Sequence, residues 1–104
     1  MLGQEAKLIR RRIRDAARAY RNRGYKVIVD PRIEELPPFL HGFKPDIVAQ
    51  KDNDKVIIEV KTQPKLKGSN EIISLAEKVA AQTPWRFELI VTNPGNHRNF
   101  IGAP

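Results

Sequence analysis

The sequence predicts an α/β fold, a four-stranded mixed sheet flanked by helices. Three observations carry this. Apolar residues recur at helical spacing near the N-terminus and again beyond residue 70. Two strand-like runs, Pro45 to Lys51 and Lys55 to Thr62, are separated only by a short polar turn. The stretch from Gln63 to Pro84 is long enough for a helical crossover, which allows the last strand to lie parallel to another in the same sheet.

From Gln4 to about Asn22, the residues Ala6, Ile9, Ile13, Ala16, Ala17 and Tyr20 form one apolar stripe of a helix, and Gly24 supplies its stop. Tyr25 to Asp30, "YKVIVD", reads as the first strand. Asp30 to Lys44 carries Pro31, Pro37 and Pro38 and reads as a long loop or ragged edge. The next two strands turn around Asp52-Asn53, so the first three strands can form an antiparallel meander. Ser69 or Asn70 can cap a second helix running to about Gln82, with Ile72, Ile73, Ala76, Val79 and Ala80 at helical spacing. Pro84 stops it, and Trp85 to Asn93 is the last strand. The tail from about Pro94 is expected to be loosely ordered.

The 104 residues suit one small domain spanning 1–104. With no cysteine, disulfides, thiolate zinc sites and a cysteine nucleophile are excluded, and the composition suits a reducing cytoplasm. No apolar run approaches the ~20 residues of a membrane span, and the N-terminus lacks the apolar centre of a signal peptide. The expectation is a cytoplasmic protein with no membrane partner. Nineteen Lys and Arg against 12 Asp and Glu give a formal charge of +7, which attracts polyanions, nucleic acid first.

The chemistry gathers on "PDIVAQKDNDKVIIEVK", Pro45 to Lys61. Alternation along a strand puts Glu59 and Lys61 on one face with Ile57 and Lys55. A two-residue turn at Asp52-Asn53 sets Asp46 opposite Glu59; a turn at Asn53-Asp54 sets it opposite Lys61. Either way the three side chains share a face. Opposed Cβ atoms are only ~4.5–5.5 Å apart, and two ionised carboxylates that close repel by about 4 kcal/mol at an effective dielectric of about 20. Lys61 offsets part of this. A hard divalent cation such as Mg2+ would offset far more. The bland alternative is a cross-strand Asp/Glu/Lys salt bridge on a solvated face, against which Ile57 and Val48 on that face argue.

Pro45-Asp46, twelve residues, then Glu59-Val60-Lys61 resembles the signature of the PD-(D/E)xK nuclease superfamily. The order helix, three strands, helix, strand is similar to that superfamily's αβββαβ, restriction-endonuclease-like core. The "PDIVA" and "IIEVK" strings, together with Glu5 near the start of the first helix, look most like archaeal Holliday-junction resolvases and their relatives. The resemblance implies a Mg2+- or Mn2+-dependent endodeoxyribonuclease with no organic cofactor, acting on DNA; a single 104-residue domain has little surface for recognising a duplex, so a homodimer is expected. It implies Asp46 and Glu59 as metal ligands, the Val60 carbonyl and Glu5 as further ones, and Lys61 as the group that orients or polarises the attacking water. Glu5 has a second reading, a first-turn acid complementing the helix dipole.

Lys7, Arg10, Arg11, Arg14, Arg18 and Arg21 lie opposite the apolar stripe of the first helix. They are either a phosphate-contacting surface or a solvated face. A helix covering the back of the sheet would hold them away from the acids, so Lys65 and Lys67, just after the signature strand, are better placed for substrate. Gln63 either hydrogen-bonds a phosphate or water, or lies in the connection before Pro64. His41 and His97 have no partner at catalytic spacing. Phe39, Phe43 and Trp85 are expected to pack under the Pro-rich loop or against the second helix rather than to stack on bases. Rival readings are a nucleic-acid-binding module that does not cut, and a subunit that supplies its site to a larger complex.

Overall fold

The computed structural model describes residues 2–63 and 69–93. Its first helix, α1 (Leu2–Asn22), ends where Gly24 takes a left-handed φ of 92°. Strand β1 (Lys26–Val29) follows, then two 3-10 turns at Ile33–Glu35 and Pro38–Leu40. Strands β2 (Ile47–Lys51) and β3 (Asp54–Thr62), helix α2 (Asn70–Ala80) and strand β4 (Trp85–Thr92) complete the order. The four strands lie in the order β1-β2-β3-β4, with β1–β2 and β2–β3 antiparallel and β3–β4 parallel. The mixed α/β sheet is thus the one the sequence predicts.

Several boundaries differ, each for a local reason. Asp30 has φ 55°, which takes it out of the extended strand, so β1 closes at Val29. Pro45 offers no N–H to a ladder, and β2 begins only at Ile47. The Pro-rich connection is not a plain loop. Pro38 sits in the first turn of a 3-10 helix, where its fixed φ is favourable, and the turn drives Leu40 to full burial. Helix α2 is capped by Ser69, whose hydroxyl accepts from the Ile72 N–H at 3.3 Å, and it closes at Ala80 rather than Gln82.

Two apolar layers sandwich the sheet. Under α1, Ala17 and Tyr20 pack on Ile47, Ala49, Val56 and Ile58. On the other face Leu75 and Val79 of α2, with Leu36 and Leu40, cover Val48 and Ile57. Phe39, Phe43 and Trp85 join this second layer, as expected, and the Phe39 and Trp85 rings meet edge to face at 5.9 Å. None of the described helices is long and apolar enough to cross a membrane. Lys65, Lys67, His97 and the tail from Pro94 lie outside the described residues.

Candidate active site

The β2–β3 hairpin sets the site. Asp52, with φ 56°, and Asn53 make the turn, and Lys51 pairs with Asp54. Aspartate tolerates this left-handed geometry better than most residues. Of the two registers open to the sequence, this one holds. Ile47 pairs with Ile58, so one step further Asp46 comes against Glu59 just past the end of β2.

Asp46 is fixed twice. Its carbonyl accepts from the Asp30 N–H at 2.8 Å, and its carboxylate Oδ2 accepts from the Val60 N–H at 2.8 Å. The second bond uses a donor that β2 would have satisfied had it continued. In a strand the N–H and C=O of one residue point to the same side. The Val60 carbonyl therefore faces the same gap beyond β2.

Glu59 is only 5% exposed, alongside Leu89 of the parallel neighbour β4. Burial pushes its carboxyl up to about 8, the adjacent Asp46 carboxylate adds to the rise, and Lys61 opposes it. Glu71, in the first turn of α2, contributes more negative charge. The Lys61 ammonium stands 4.0 Å from Glu59 Oε1, with its side chain 37% exposed, so it can face both the acid and solvent. Asp46, Glu59 and Lys61 are thereby brought together at the carboxyl end of β3. Such ends are where open α/β sheets present their ligand sites.

The donors suit a hard divalent cation: two carboxylates side by side, one buried at a cost in charge, and a backbone carbonyl turned to the same gap. Glu5 is half-buried in the first turn of α1. Among the described residues no three acidic, histidine or cysteine side chains gather as a metal cluster, so Glu5 is not brought to the pair. Gln63 is exposed at the end of β3. His41 is engaged structurally, its Nε2 lying 3.1 Å from the Leu36 carbonyl.

The arginines of α1 do not all lie away from the site. The helix covers the face opposite the Glu59 side chain, yet Arg10, Arg14 and Arg21 line a cleft whose far side is Asp30 and Asp46. Sequence reasoning missed Asp30. Only the β1–β2 register, which the sequence leaves open, carries the residue after Val29 to the residue before Ile47.

The sheet order, the paired acids at the end of the hairpin and the flanking lysine define a restriction-endonuclease-like protein. The family model described as REase_AHJR-like matches residues 1–103. The chain belongs to this family, within the PD-(D/E)xK superfamily. No curated protein and no solved structure matches it.

Proposed function

We propose that the protein is a Mg2+- or Mn2+-dependent endonuclease that hydrolyses phosphodiester bonds in DNA, branched or junction DNA among its substrates, and works as a homodimer. The observation that carries this reading is the apposition of the Asp46 and Glu59 carboxylates beside Lys61 on a hairpin with the family's signature. A family named as restriction-endonuclease-like supports a nuclease. Asp46, Glu59 and the Val60 carbonyl would hold the cation. When bound, it lowers the pKa of a coordinated water and offsets charge developing on the phosphate.

The chain's own groups do the rest. The Val60 N–H bond keeps Asp46 aimed at the gap, and the hydrophobic wall around Glu59 keeps bulk water away from its inner side. The Lys61 ammonium, half in solvent, donates to the attacking water or to a phosphate oxygen and stabilises the added negative charge. A two-fold pair of such sites would suit a substrate cut in symmetric strands.

The test is cleavage of branched, linear and single-stranded DNA with Mg2+ or Mn2+ by wild type, Asp46→Ala and Lys61→Ala. Loss of about 10²-fold or more in rate is expected for each substitution, with DNA binding retained. Cutting that survives both would discard these roles. Binding without cutting of any substrate would favour a non-catalytic module.

A further inference from the structure

The cleft between α1 and the end of β1 has a volume of about 420 Å³. That is the size of a pocket for one small organic group, and far too small for a duplex. Its chemistry is divided. Arg10, Arg14 and Arg21 stand along one wall, all three exposed, and none is ion-paired among the described residues. The floor is apolar, formed by Ile13, Ala17 and Val29, and Val29 is 41% exposed although it is a strand residue. Asp30 and Asp46 close the far side.

An apolar floor under a cationic rim fits a ligand with a flat or weakly polar body and an anionic linker. A free phosphate would leave the floor in water. A paired base, locked in a stack, could not reach it. A nucleotide turned out of pairing satisfies both parts, its base on Ile13 and Val29 and its phosphates against the arginines. The acids on the far wall repel phosphate, so they fix the polarity: backbone toward α1, base edge toward Asp30. The cleft is lined by Asp46 and not by Glu59, so a strand seated there has to pass the edge at Asp46 to reach the acidic pair.

We infer that this cleft receives an unpaired nucleotide of the substrate strand, so that the protein selects DNA carrying a single-stranded arm or an unpaired base beside the cut. The inference deepens the nuclease reading by naming the substrate class, and the binding it predicts can be read without cleavage.

The experiment is fluorescence anisotropy in EDTA, with a labelled blunt duplex and the same duplex bearing a single-stranded arm. Wild type should bind the armed duplex about tenfold more tightly. Arg14→Ala combined with Arg21→Ala should remove that preference while leaving much of the blunt-duplex affinity. Arg11→Ala combined with Arg18→Ala takes the same charge from outside the cleft and should weaken both ligands alike. Exposed arginines on a formed helix leave the fold intact, which circular dichroism checks. Equal binding of the two ligands by wild type, or identical behaviour of the two double variants, would overturn the inference. Cleavage that is nonetheless metal-dependent and lost in Asp46→Ala would leave the nuclease reading standing alone. Conversely, an arm preference without any cleavage would keep the cleft and remove the enzyme.

Discussion

Glu59 is the residue on which charge and burial conflict most. Its carboxyl is raised to about 8 in the folded protein, against about 4.5 when unfolded. The native state therefore holds a proton through that window which the unfolded chain has released. Stability tied to this group is complete below about pH 4.5 and is lost as the pH rises toward 8. Thermal melts in chelator should show a lower midpoint at pH 8 than at pH 5, by an amount on the order of a few kcal/mol in stability. Glu59→Gln should flatten that slope, and added Mn2+ should restore wild-type stability at pH 8 but not that of Glu59→Gln. A flat wild-type profile would mean that the Glu59 carboxyl is not buried beside Asp46 as described. The conflict was readable in the sequence, since an acid in "VIIEV" with Asp46 upstream demands a partner. Asp30 was not, because only the β1–β2 pairing brings it to Asp46.

At the scale of elements, α1 is held by more than its apolar stripe. The Tyr20 hydroxyl donates to Glu88 on β4, and just beyond the helix the Tyr25 hydroxyl donates to Asp54 at the start of β3. Asp54 also accepts two bonds from the Arg86 guanidinium, at 2.9 and 3.2 Å. Arg86 first, then Tyr25, lowers the Asp54 carboxyl to about 2. This stabilisation is present above the unfolded value of about 3.8 and is lost as pH falls through about 2. Acid titration of Asp54→Asn should show a shallower loss of structure between pH 4 and 2 than wild type, and a lower melting point at neutral pH. Gly24 is the other constraint, since only its positive φ lets α1 turn directly into β1. Gly24→Ala should cost about 1 kcal/mol in chemical denaturation. Helical and strand periodicities made every long element legible beforehand. The 3-10 turns were not, because proline content marks where regular structure breaks without saying which tight turn replaces it.

For the whole molecule, a charge of +7 with an arginine-rich first helix predicts DNA affinity dominated by counterion release. Affinity for blunt duplex should fall linearly on a log–log plot against salt, and each Arg→Ala that removes a phosphate contact should reduce the slope by about one. A slope near zero would remove nucleic acid as a partner. Strand order offers a different consequence. Neighbours in the sheet are neighbours in the chain, and the hairpin needs only two residues to close, whereas β4 must wait for α2 to cross over. The hairpin register alone is enough to set the two acids side by side. Leu89 walls off Glu59 only with the final strand. The anionic pair thus needs only a local hairpin, whereas its electrostatic penalty depends on burial supplied by the rest of the sheet.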